Sequence, residues 1–132
     1  MKGKMATKEI IRSDKAPQAI GPYSQGTKLG NIVFTAGQLG IDRATGELVP
    51  GGVEPETKQA IHNLQFVLEQ SGSSLANVLK TTVFLRDMQD FPRMNAVYAA
   101  FFSENPPARS TVQVAGLPKG GAVEIEAIAF VT

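Results

Sequence analysis

The residues of this chain best suited to chemistry are three charged side chains in strand-like surroundings: Arg109, Glu124 and Glu126, within PPARSTVQVAGLPKGGAVEIEAIAF (residues 106–130). A charge on a half-buried strand gives up hydration worth several kcal/mol, so each of the three needs a partner or a task. In an extended strand Arg109, Thr111 and Gln113 share one face, and Ser110, Val112 and Val114 share the other. Glu124 and Glu126 likewise share a face, opposite Val123, Ile125, Ala127 and Ala129. Two readings stand. If the two strands are neighbours, Arg109 forms a cross-strand ion pair with a glutamate, worth about 0.2–1 kcal/mol at a surface. Alternatively the planar guanidinium of Arg109 grips a ligand carboxylate through two bonds while a glutamate handles a proton or orients water.

The inventory narrows the chemistry. There is no cysteine, which excludes disulfides, thiolate metal sites and a cysteine nucleophile. With His62 as the single histidine, no ligand set for a structural metal is in sight. His62 falls beside the apolar stripe of a helix and reads as a solvated residue, not a catalytic one. No glycine-rich phosphate loop and no GxSxG elbow occurs. The charge balance of 13 Lys and Arg against 12 Asp and Glu gives no electrostatic case for nucleic acid or an anionic membrane as partner. No apolar run approaches the roughly 20 residues that span a bilayer, and the basic opening MKGKMATKEI lacks the apolar core of a secretory signal. The expectation is a soluble, cytoplasmic protein. Its 132 residues, 42% hydrophobic and 19% charged, fit one domain over residues 1–132.

The elements that must position these side chains follow from pattern. Residues 8–12 predict a first strand. Residues 16–25, APQAIGPYSQ, carry Pro17, Gly21 and Pro22 and predict a shaped loop that presents Tyr23. Residues 27–29 and 31–37 form a hairpin on Gly30-Asn31, and Gly37 leaves room for backbone or ligand to come close, or marks a bulge or strand end. After a turn-rich connection, residues 54–70 predict a helix whose stripe is Ala60, Ile61, Leu64, Val67 and Leu68. Residues 78–85 predict a strand. A second helix follows, N-capped by Asp90 with Pro92 in its first turn and Met94, Val97, Tyr98, Phe101 and Phe102 on one face. On spacing alone Tyr98 reads as a core aromatic and Asn95 as an exposed neighbour of the stripe. The order β, ββ, α, β, α, ββ predicts an α+β fold, a single sheet with two helices packed on one face. The other face carries too many apolar residues for water, which predicts burial against another subunit.

Four segments taken together resemble the Rid family, also called YjgF-type proteins, and its enamine/imine deaminase subgroup: APQAIGPYSQ, FTAGQLGID, VLKTTVFLRDMQDFPRMNAVYAAFF and PPARSTVQVAGLPKGGAVEIEAIA, in this order and over nearly the entire chain. The resemblance implies a chorismate-mutase-like fold assembled as a homotrimer, with ligand clefts between subunits. It implies hydrolysis, with no cofactor and no metal, of 2-aminoacrylate and related enamine or imine intermediates to 2-oxo acids and ammonia, a metabolite damage-control activity. Arg109 then matches the residue that binds the substrate carboxylate, Glu124 the acid that positions or activates water, and Tyr23 the aromatic of the loop that closes over the ligand. Gly37 and Thr111 would offer backbone contacts and Asn95 would line the cleft. Some members of the subgroup carry cysteine at the position of Thr111, so any role of that thiol is absent here. Two other classes stay in view: an endoribonuclease or translation inhibitor, which the near-neutral charge disfavours, and a non-catalytic small-carboxylate binder or holdase-like protein.

Overall fold

Helix α1 (Val53–Gln70) anchors the core because its apolar stripe is complete: Ala60, Ile61, Leu64, Val67 and Leu68 are all fully buried. Pro55 and the acidic Glu54 and Glu56 suit its first turn. The helix stops at Ser71, whose hydroxyl donates to the Leu68 carbonyl, and at Gly72, whose φ of 88° reverses the chain. The computed structural model describes residues 6–132; the first five residues, part of the basic opening stretch read above for a secretory signal, lie outside it.

Seven strands form one mixed sheet: β1 (Glu9–Ile11), β2 (Gly26–Leu29), β3 (Ile32–Thr35), β4 (Gln38–Leu39), β5 (Val78–Leu85), β6 (Ala108–Gln113) and β7 (Val123–Phe130). The order is β1-β2-β3-β7-β5-β6, with β4 also pairing β7. The β2–β3 hairpin turns on Gly30, at φ 59°, and Asn31, as the two-residue turn requires. Its second strand is shorter than expected, since the chain breaks at Ala36–Gly37 before β4 rejoins β7. Only β5 and β6 run parallel, because helix α2 (Phe91–Phe101) carries the chain back between them.

Asp90 does not cap α2 through its side chain; it pairs with Arg93, while Asp87 accepts from the Gln89 amide at 2.9 Å and caps the short turn before. Met94 and Tyr98 of α2 join α1 over Val33, Val83, Ile125, Ala127 and Ala129, so both helices cover one sheet face. Pair registers put Ile10, Phe34 and Val112 on the opposite face, exposed at 49%, 46% and 42%. By the same registers Thr27, Lys80, Thr82, Glu124 and Glu126 lie on it too, so the uncovered face is apolar only in part.

The cross-strand ion pair is overturned. β7 lies between β3 and β5, so β5 separates β6 from β7 and the two strands are not neighbours. Arg109 pairs in register with Thr81, and Thr81 with Ala127, on the helix-covered face. Glu124 is three residues from Ala127 and so faces the other way, about 10 Å across the sheet by strand spacing.

Candidate active site

The loop of residues 16–25 owes its shape to one buried amide. The Gln25 side chain accepts from the Ser13 amide at 2.6 Å and donates to the carbonyls of Ser13, at 3.2 Å, and Pro17, at 2.6 Å. It is only 3% exposed, so it replaces water for a backbone that forms no sheet or helix. Gln25→Leu leaves those groups unpaired and is expected to cost about 3 kcal/mol of stability, read by urea denaturation.

This loop forms one wall of a cavity of about 600 Å³. Tyr23 stands at its rim, 54% exposed, and Gly37 and Glu124 lie in its floor, with Gln38, Ile41 and Lys119 around them. Gly37 has a steric reason to lack a side chain: a Cβ there would come within 2.8 Å of the Glu124 carboxyl group. The break between β3 and β4 therefore makes room for an acid. Burial raises the pKa of Glu124 above its ordinary value of 4.5, and the neighbouring charge of Glu126 raises it further. A carboxyl group shifted in this direction holds its proton more firmly, and as a carboxylate takes one back more readily, than a solvated glutamate.

The remaining candidates gather elsewhere, at the β6 edge of the sheet. Arg109 donates through Nη1 to Asn95 Oδ1 at 2.8 Å, and its guanidinium lies over the rings of Tyr98 at 4.7 Å and Phe91 at 5.3 Å. Phe91, Asn95 and Tyr98 fall at i, i+4 and i+7, one face of α2 laid along β6. Asn95 is thus half-buried and bonded, not the exposed residue its spacing predicts. Tyr98 is in the core as expected, its hydroxyl 2.7 Å from Thr81 Oγ1, and burial raises its pKa, which keeps the phenol neutral under the cation. Thr111 Oγ1, next on the same strand face, is buried without a hydrogen-bond partner in the protomer. Among the described residues no carboxylate forms an ion pair with Arg109. His62 packs edge-on against Phe101 at 5.4 Å, away from the cavity lining.

The chain therefore brings together Tyr23, Gly37 and Glu124, and separately Arg109, Asn95 and Thr111. Phe91, Tyr98 and Gln25 support these groups and were not singled out as site residues from sequence. The i, i+4, i+7 spacing ahead of an arginine strand is the signal that would have found the first two. Among the described residues no cluster of histidine or acidic side chains could hold a metal, and no helix is long and apolar enough to cross a membrane.

Residues 13–131 match the family model described as endoribonuclease L-PSP. The chain belongs to the YjgF/Rid family. Among its Rid relatives, the 2-iminobutanoate/2-iminopropanoate deaminase of Bos taurus is 52% identical over 92% of this chain and 89% of its own. A RutC family protein of Pyrococcus abyssi is 50% identical over 93% of this chain and 97% of its own. In three dimensions the chain matches E. coli TdcF with bound serine at a TM-score of 0.89 and 43% identity, covering 94% of this chain and 99% of that one. The shared Rid architecture is the mixed sheet with two helices described above.

Proposed function

We propose that this Rid protein hydrolyses reactive enamines and imines derived from amino acids, 2-aminoacrylate and its homologues, to 2-oxo acids and ammonia without a cofactor, as a homotrimer whose sites are shared between subunits. The observation that carries the proposal is the division of the site: an acid of raised pKa sits in a cavity where neither Lys119 nor Arg43 forms an ion pair with it, and a cradled arginine waits at a sheet edge. A neighbouring copy that lays its β6 edge against the cavity supplies the missing half. The exposed side chains of Ile10, Phe34 and Val112 on the uncovered sheet face give such an assembly apolar surface to bury. Relatives named as 2-iminobutanoate/2-iminopropanoate deaminases, and a relative that holds serine, support a small amino-acid-derived ligand.

In this mechanism Arg109 of the partner subunit holds the substrate carboxylate, with Asn95 fixing the fork and Thr111 beside it. Gly37 offers its backbone and Tyr23 covers the ligand. An enamine first takes a proton at C3 from the Glu124 carboxyl group and becomes an imine. Glu124, now a carboxylate, removes a proton from water as the water oxygen bonds to C2 and the C=N π electrons move to nitrogen. Glu124 passes that proton to the nitrogen; as the C–N bond breaks and ammonia leaves, the hydroxyl oxygen forms the ketone of the 2-oxo acid and gives its proton back to Glu124, which restores the acid. The imine carbon is already electrophilic, so orientation and one proton shuttle suffice, and orientation alone can lower a barrier by several kcal/mol.

Ammonia and 2-oxo acid release from enzymatically generated 2-aminoacrylate tests the reading. Turnover well above the spontaneous rate is expected. Binding with turnover at background would assign a carboxylate binder instead, and RNA cleavage that survives Arg109→Ala would assign a nuclease acting at another place.

A further inference from the structure

Glu56 is a buried carboxyl group that the mechanism above does not use. It sits in the first turn of α1, 6% exposed, and its Oε1 accepts from the Ala122 amide at 2.8 Å. Ala122 is itself 1% exposed and is the last residue before β7, two positions ahead of Glu124. From the other side the Ala122 carbonyl accepts from the Arg86 amide at 3.0 Å, at the end of β5. The start of β7 is thus held between a strand and a helix side chain.

The packing around Glu56 is built for close approach. A Cβ on Gly40 would fall 2.5 Å from the Glu56 Cα, and one on Gly121 would fall 2.8 Å from Leu39 Cδ2 and 3.7 Å from Glu56 Oε1. The contact at Gly40 cannot be relieved by a side-chain shift, because the opposing Glu56 Cα and carbonyl oxygen are backbone. Leu39, between these glycines, pairs in register with Glu124. Two helical turns further on, fully buried Asn63 donates to the carbonyls of Leu39 and Ile41, both at 3.0 Å. Helix α1 therefore grips both segments that frame Glu124: β4 through Asn63 and the head of β7 through Glu56. Burying a carboxyl group on one recorded hydrogen bond is a costly way to fill that space compared with a leucine. What the carboxyl group adds is a fixed position for the Ala122 amide.

We infer that Glu56 is a positioning residue for Glu124: its bond to Ala122 sets the height of β7 against β4 and so places the Glu124 carboxyl group in the cavity. The inference rests on the hydrolase reading above, with Glu124 as its proton carrier. Because the substrate carboxylate is held by Arg109, misplacing Glu124 affects the chemical step more than binding.

The test is steady-state imine turnover by the full-length protein, with the Glu124 side-chain carboxyl resonance followed by NMR. Glu56→Leu removes the acceptor at similar volume and is expected to lower kcat about 30-fold with KM within about twofold, since small misplacements of a reacting group have effects of this order. Glu56→Gln keeps an acceptor oxygen and is expected to retain kcat within about threefold. Glu56→Asp, one methylene shorter, is expected to fall between them and decides the matter if the leucine variant does not fold. Folded Glu56→Leu or Glu56→Asp protein with the parental kcat, or with kcat and KM altered alike in the glutamine variant too, overturns the inference. A parent without turnover would instead overturn the hydrolase reading. In that case an unmoved Glu124 resonance in Glu56→Leu would still overturn the positioning role.

Discussion

Arg109→Ala is expected to lower kcat/KM for imine hydrolysis about a thousandfold, the equivalent of about 4 kcal/mol, within the range seen when one partner of a desolvated, hydrogen-bonded charge pair is removed. The size follows from what the arginine is given to do. Its fork is aligned by Asn95 and backed by Tyr98 and Phe91, so little ordering remains when a carboxylate arrives. The loss should appear in KM as well as kcat, because the carboxylate is held before and during reaction. Arg109→Lys keeps the charge and loses the planar fork, and is expected to recover less than about a tenth of the activity. The fold should survive either change. Arg109 lies on an edge strand, and the Tyr98–Thr81 bond beneath it does not depend on the guanidinium. Unaltered turnover in Arg109→Ala would remove the arginine from the site.

Glu124→Gln is expected to lower kcat about 100- to 1,000-fold while KM stays within about threefold, the usual contribution of a general acid–base group. Glutamine fills the space that Gly37 leaves and keeps an acceptor, but it cannot carry the proton. The raised pKa also predicts pH behaviour. With an imine as substrate, where hydrolysis begins at the Glu124 carboxylate, the activity of the parent rises with pH through a value above 4.5, and the glutamine variant should lose that limb of the profile. Stability runs the opposite way. A carboxyl group whose folded pKa is raised favours the native state below 4.5, and that contribution is lost as pH rises through the folded value. The variant should therefore melt higher than the parent above this window, with the difference closing in acid. A parent and variant that melt alike at every pH would mean that burial and Glu126 do not strain Glu124. An unchanged kcat would end its role as proton carrier.

Much of the fold was legible because local pattern and tertiary context agree. The stripe of α1, the hairpin at Gly30-Asn31 and the alternation of Val123, Ile125, Ala127 and Ala129 each follow from side-chain periodicity, and each appears with nearly the expected bounds. What periodicity does not carry is strand order. Placing β6 beside β7 assumes that consecutive strands pair, but the α2 crossover commits β6 to β5, and β7 fills the gap on the other side. That single topological fact separates Arg109 from both glutamates and puts it on the opposite sheet face from Glu124. Resemblance picked Glu124 over Glu126, and the structure gives the physical difference: Glu124 lines the cavity beside Gly37, whereas Glu126 lies outside that lining and acts on Glu124 through its charge. Glu56 reads from sequence as an acid suited to the first turn of a helix, and nothing in the spacing of Gln25 or Glu56 marks a side chain that will be buried against a distant backbone amide or carbonyl.

The shared site is tested most directly by mixing. Arg109→Ala and Glu124→Gln chains, each nearly inactive alone, are unfolded together in equal amounts, refolded, and assayed for imine turnover against each variant refolded by itself. If each site takes Arg109 from one subunit and Glu124 from the next, random assembly rebuilds an intact site at about a quarter of the positions, and the mixture should recover about a quarter of the parental rate. A mixture no more active than its components would contradict a site built from two chains.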